Sequence, residues 1–333
     1  MEIFSQQILN GLVLGSVYAL VALGYTMVYG ILGLINFAHG EVVMVGALTA
    51  LSVSNALLVA TPGLPAPVIL LVAVLVAMIA CMLLGFSIER IAYRPLRRAP
   101  RLAPLITAIG VSILLQTIAM LIWGRQYHTV PALIPPTPHT VAGATITDVG
   151  IAIIAVSAVI MLGLLLLVHF TKLGRAMRAT AENQLVSGLM GVDVNRIISA
   201  TFVIGSALAA VAGVLVSANY GIAHYYMGFT LGLKAFTAAV LGGIGNLGGA
   251  MLGGVLLGLI ESLGAGYIGH LTDLCQFESL RQASLELARN CTGSAEVPLF
   301  GSNYQDVFAF LVLITVLVFR PTGLLGERVS ERA

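Results

Sequence analysis

Nine apolar runs divide this chain and leave it little choice of solvent. They cover residues 8–30, 40–60, 66–88, 103–124, 149–170, 196–220, 231–247, 249–269 and 306–319. A helix needs about 20 mostly apolar residues to cross the hydrocarbon layer of a bilayer. Seven runs meet that length, while 231–247 is short and crowded with glycine and 306–319 is also short. These two are read as partial or tilted crossings. Inside lipid each backbone N–H and C=O must find a partner within the protein, so long apolar runs fold as helices. The expected fold is all-α: one polytopic transmembrane domain over 1–333 with eight to nine segments, some short or broken. Both halves carry a glycine-marked break followed by a small-residue helix, which is compatible with an inverted repeat.

Composition closes the soluble alternatives. Hydrophobic residues make up 59% of the chain and charged residues 9%, against roughly 25% charged in soluble domains. With so little polar material, the surface must face lipid. A net charge of +2 with no basic run interleaved with aromatics argues against nucleic acid as a partner. The first ten residues hold Glu2 and no Lys or Arg. A cleaved signal peptide starts with positive charge, so the first segment is expected to be retained. Cys81 sits in an apolar run and reads as a packing residue.

Basic residues collect in short cytoplasmic loops and so fix orientation. Arg90, Arg94, Arg97, Arg98 and Arg101 follow the third run, Lys172, Arg175, Arg178 and Arg196 follow the fifth, and Arg320, Arg328 and Arg332 lie in the tail. These are 12 of the 16 basic residues, in regions separated by even numbers of crossings. The links and tail are therefore expected in the cytoplasm, with the N-terminus outside. Two stretches then fall outside: 125–148 with its four prolines, and 271–305 with Cys275 and Cys291. On the oxidising side these two cysteines form either a disulfide or two free thiols.

The link 171–196 is the most informative polar stretch and reads TKLGRAMRATAENQLVSGLMGVDVNR. Arg175, Arg178 and Glu182 fall at helical spacing, with Met177, Leu185, Val186, Leu189 and Met190 as an apolar face. A short amphipathic helix of this kind lies on the membrane surface or docks in a groove on a partner. Its charged flanks suit docking.

This link resembles the coupling helix of ABC importer permeases, in particular the branched-chain amino acid permease family. The broad importer pattern is Glu-Ala-Ala, three residues, then Gly. Glu182 and Gly188 keep that spacing, with Asn183 and Gln184 replacing the alanines. The stretch from Gly11 to Ala47, with its Asn-Phe-Ala-His-Gly turn, the glycine-rich stretch from Gly232 to Glu261, and Arg-Pro-Thr-Gly-Leu-Leu-Gly at 320–326 extend the resemblance over nearly the whole chain. The stretch 271–305 is longer than the family norm. The resemblance implies an inner-membrane importer with a second, homologous permease, two ATPase subunits and an extracytoplasmic binding protein. ATPase coupling then maps to Arg175, Arg178, Ala181, Glu182, Asn183, Gly188 and Asp193. Members of the family carry leucine, isoleucine and valine, and relatives carry urea, amides or aromatic acids.

Two further groups are candidates for the pathway or its gate. Asn36, Phe37, His39, Gly40 and Glu41 bring polar groups between two apolar runs, where they face a cavity or form an ordinary turn with Asn36 as a helix cap. Gly242, Gly243, Gly245 and Asn246 either break a helix beside the pathway or let helices pack closely. Lys234 is expected to snorkel to the outer interface, and Glu261 and Asn219 to make interhelical hydrogen bonds.

No Gly-x-x-x-x-Gly-Lys-[Ser/Thr] occurs, so ATP is expected on partner subunits and no cofactor on this chain. Gly-x-Ser-x-Gly and His-Glu-x-x-His are absent too, and His39 with Glu41 is too small a donor set for a metal. The chain is expected not to be an enzyme. The rivals to an ABC permease are an ion-coupled transporter, for which Glu41 and Glu261 are the candidate acids, and a passive channel for small polar solutes.

Overall fold

The computed structural model describes residues 2–97, 99–100, 102–141, 143–271 and 304–326. Cys275 and Cys291 lie outside the described residues, as does almost all of the 271–305 stretch. Nine helices follow the apolar runs: α1 (Glu2–Leu32), α2 (His39–Ala60), α3 (Ala66–Ile88), α4 (Leu102–Trp123), α5 (Asp148–Phe170), α8 (Val194–Tyr220), α9 (Met227–Gly242), α10 (Leu247–Leu271) and α11 (Gln305–Phe319). Two more, α6 (Lys172–Glu182) and α7 (Gln184–Leu189), form the polar link. Among the described residues, seven helices are long and apolar enough to cross a membrane. At 1.5 Å per residue, the 16 residues of α9 span about 24 Å, short of the ~30 Å hydrocarbon layer.

Helix α1 is the axis of the bundle. Its hydropathy is uniform around the helix, as expected of a segment with no solvent side, and 89% of its apolar window is buried. It packs mainly on α10 through glycines spaced four apart on both helices, Gly11 and Gly15 against Gly254 and Gly258. A Cβ at Gly15 would stand 2.7 Å from the Val255 Cα, so this crossing needs hydrogen there. Helices α3, α4 and α5 form the flank, with Leu71, Leu83, Ile106, Leu121 and Val159 exposed. Such an outward apolar surface suits lipid.

The basic links gather at one end of the bundle. After α3 the chain tightens through a π-turn over Glu89–Tyr93 and a 3₁₀ turn over Arg94–Leu96. Glu89 is fully buried, pairs with Arg97 and accepts from Ser199 Oγ at 2.6 Å. Arg97 also donates to Asn195 Oδ1 at 2.6 Å. Burial lowers the Arg97 pKa, and the Glu89 carboxylate opposes that shift.

The opposite end carries the only strands among the described residues, two short pairs in the links that leave the membrane bundle all-α. β1 (His128–Thr129) pairs with β4 (Ile222–Ala223), and β2 (Pro138–Val141) forms a hairpin with β3 (Ala144–Thr147). The prolines in the 125–148 link and the left-handed Gly143 favour turns and edge pairing over helix. Gln6 accepts from the Thr145 amide at 2.8 Å and ties the hairpin to α1.

Candidate functional site

Of the two readings of the turn between α1 and α2, the ordinary turn capped by Asn36 does not hold. Helix α2 starts at His39, and Ala38 is its cap residue. Asn36 is not that cap: its Oδ1 accepts from the Ala38 amide at 3.2 Å and from the Tyr93 hydroxyl at 3.0 Å. The side chain thus pins the turn to the π-turn after α3. Phe37 packs on Phe236 of α9 with ring centroids 5.9 Å apart. Gly40 is helical and makes no sharp turn. It serves a close crossing of α2 and α9, since a Cβ there would sit 2.9 Å from the Gly232 Cα.

His39 and Glu41 are both buried. The His39 ring meets Tyr25 edge-on at 4.8 Å and fills the notch left by Gly24. Glu41 Oε1 accepts from Gln116 at 2.7 Å and Ser112 at 3.1 Å, both on α4. The other oxygen, Oε2, has no hydrogen-bond partner among the described residues. Ser112 and Gln116 border a cavity of about 230 Å³ between α4 and α9. No group of three or more His, Cys, Asp or Glu side chains able to hold a metal occurs among the described residues.

Residues 243–246 break the bundle between α9 and α10, where Gly243 and Gly245 have φ of +107° and +98°. Only glycine takes such angles readily. The last carbonyls of a helix have no intrahelical donor, and here the 320–326 segment supplies two. The Leu324 amide donates to Leu241 O and the Leu325 amide to Gly242 O, each at 2.9 Å. Asn246 donates to Leu325 O at 3.0 Å, and its Oδ1 caps α10 by accepting from the Gly249 amide at 3.0 Å. The break is therefore occupied by a strap, and Asn246 is half-buried against it. Close packing coexists with the break, for Gly242 and Gly249 approach backbone to backbone.

The polar link is two helices where one was expected. Asn183 interrupts it with extended backbone, and its Oδ1 accepts from the Leu185 and Val186 amides at 3.0 Å each. The expected apolar face is split accordingly. Met177 on α6 is buried, whereas Leu185, Val186, Leu189 and Met190 around α7 are 50–80% exposed. Arg178 donates to Val168 O at 2.7 Å and satisfies the end of α5. Asp193 caps α8 through the Asn195 and Arg196 amides. Arg175, Ala181, Glu182 and Gly188 are exposed. Ala181 and Gly245 border one small cavity with Ile31, so the link, the break and the end of α1 adjoin.

Lys234 does not snorkel. Its Nζ lies 2.7 Å from Glu261 Oε1 and 2.7 Å from Asp306 Oδ1, joining α9 to α10 and α11. Tyr18 of α1 donates to Glu261 Oε2 at 3.0 Å. Glu261 is buried, and at this depth a charge needs such a partner.

Comparison with known proteins agrees with this architecture. A family model described as branched-chain amino acid transport system / permease component matches residues 7–317. The chain belongs to this family. Among its relatives is the high-affinity branched-chain amino acid transport system permease protein BraD of Pseudomonas aeruginosa, 45% identical over 99% of this chain and 98% of that one. The corresponding LivH of Escherichia coli is 41% identical over 99% of this chain and 97% of its own. A probable branched-chain amino acid transport permease protein LivH of Methanocaldococcus jannaschii is 29% identical over 98% and 94%.

In this permease the sequence signals missed several partners. Tyr93 and Gln116 carry no sequence signal of a role: nothing in their own segments pairs them with Asn36 and Glu41. Gln184 departs from the Glu-Ala-Ala pattern. Its Nε2 donates to Ile31 O at 2.7 Å. Asp306 is the first acid of a short apolar helix, a signal that could have suggested a partner for Lys234.

Proposed function

We propose that this chain is the membrane-spanning subunit of an ABC importer for branched-chain amino acids. It forms the translocation path, while ATP is bound and hydrolysed on two separate ATPase subunits. A second permease completes the path, and an extracytoplasmic binding protein delivers the solute. The chain lies in a bacterial inner membrane with its N-terminus outside and its basic end in the cytoplasm. The main support is a match to branched-chain permeases along the whole length, together with an apolar patch on α7 at the basic end.

That patch gives the proposal its mechanics. Leu185, Val186, Leu189 and Met190 face outward from a helix fixed at its start by Asn183 and Gln184. Apolar area left in water costs about 25 cal/mol per Å², so a partner groove is the fitting occupant. Closure of the ATPases on ATP then pushes α7. Its contact with the end of α1 carries the push into the bundle, which rocks between outward and inward openings. Arg175, Glu182 and Gly188 border the contact, while Arg178 and Asp193 position it by capping neighbouring helices.

The test is co-purification of the tagged chain with the products of its neighbouring genes, with Glu182→Arg alongside. ATPase subunits that accompany the wild type and are lost or uncoupled in the variant support the reading. A chain that purifies alone and transports without ATP is an ion-coupled carrier or a channel.

A further inference from the structure

A cavity of about 550 Å³ opens where α8 ends and α9 begins, at the end of the bundle opposite the basic links. Small-molecule sites occupy about 300–1,000 Å³. Tyr18, Tyr127, Tyr220, His224 and Tyr226 wall it, and Lys234 borders it. The wall is built rather than incidental. The Tyr127 and His224 rings stack with centroids 4.3 Å apart, and the β1–β4 ladder holds their two segments together. Apolar surface comes from Val216, Met227 and Leu231.

The charge at its border is unusual for a membrane interior. Lys234 is one cation against two carboxylates, Glu261 and Asp306. Its remaining neighbour, the Tyr18 hydroxyl, is 3.4 Å from Nζ, a long contact that a better acceptor would displace. A simple anion would meet a site already negative by one. A zwitterion brings no net charge to the site, and its own ammonium can lie over tyrosine faces, where cations are attracted by the ring quadrupole.

We propose that this cavity is a relay site for zwitterionic amino acids with apolar side chains. The substrate α-carboxylate lies on Lys234 Nζ, the α-ammonium against the tyrosine rings, and the side chain against Leu231 and Met227. This rests on the importer reading and names the part of the path that holds the solute after delivery. An uncharged amide would gain less from Lys234 than a carboxylate does.

The test uses the complete importer in proteoliposomes, with leucine uptake and ATP hydrolysis stimulated by the loaded binding protein measured together. Lys234→Met is expected to lower leucine imported per ATP at least tenfold while stimulated hydrolysis persists, and Lys234→Arg to restore part of it. Should Lys234→Met fail to assemble, Tyr226→Ala at the cavity rim decides, with the same expected direction. Import per ATP within twofold of wild type in every assembled variant overturns the proposal. Loss of stimulated hydrolysis in step with uptake also overturns it, since the rim is then a docking face for the binding protein. If no ATPase subunits assemble with the chain, the importer reading fails, and dependence of leucine uptake on Lys234 in cells still tests the site.

Discussion

Gln184, the first residue of α7, donates its side-chain amide to the carbonyl of Ile31 at the end of α1, 2.7 Å away. One hydrogen bond thus joins the exposed link to the helix that runs through the bundle axis and carries Tyr18 at its middle. Replacing Gln184 with Leu keeps the volume and removes the donor. The expected result is an importer that assembles with its ATPases but shows a several-fold weaker stimulation of hydrolysis by loaded binding protein. A response equal to wild type would show that the push travels elsewhere.

Charge on the outward face of α7 is expected to prevent ATPase docking. Leu189 is 79% exposed, so Leu189→Asp costs the isolated chain little, as surface changes usually stay within about 0.5 kcal/mol. Pull-down of the ATPase subunits should be lost, with the thermal melting of the detergent-solubilised permease unchanged. Met177→Asp on the buried face of α6 should instead lower the melting temperature.

How much of this was legible in the sequence depends on the range of the forces involved. All nine apolar runs became helices, because the hydrocarbon layer sets length and composition segment by segment. Glycines at 11, 15, 254 and 258 showed a four-residue spacing, but not that α1 is the partner of α10. The apolar residues of the link keep the spacing of one helix, while the Asn183 cap that breaks it is a single side chain. Lys234 stands close to the outer end of its run, which favours the interface, while its partner Glu261 lies 27 residues further on. Pairings between distant segments are set by packing, and no local pattern announces them.

The Glu89–Arg97 pair is expected to behave as a buried ion pair. Arg97→Met would leave Glu89 uncompensated at full burial, a loss that costs about 3–5 kcal/mol. Thermal unfolding in detergent should fall clearly for Arg97→Met. The double variant Glu89→Met with Arg97→Met should recover much of the loss. Equal destabilisation in both would show that Asn195 and Ser199, not the charge, are what Arg97 and Glu89 hold in place.

Glycine substitutions should divide by position. Gly258→Val would drive a side chain into the backbone of α1 at Gly15, and overpacking of this kind typically costs about 1–3 kcal/mol or more. Gly110→Ala, with open space around it on α4, should be neutral or slightly stabilising, because alanine favours helix by about 1 kcal/mol. Yield of folded protein on size exclusion separates the two.

The strap over the glycine break bears on how the chain is made. Carbonyls at the end of α9 wait for donors in Leu324 and Leu325, and Asn246 waits for an acceptor 79 residues further along. During synthesis that end of α9 stays unmatched until the strap has left the ribosome and returned to the bundle. A polypeptide halted before residue 324 would hold its helices and still present open backbone groups at the basic end.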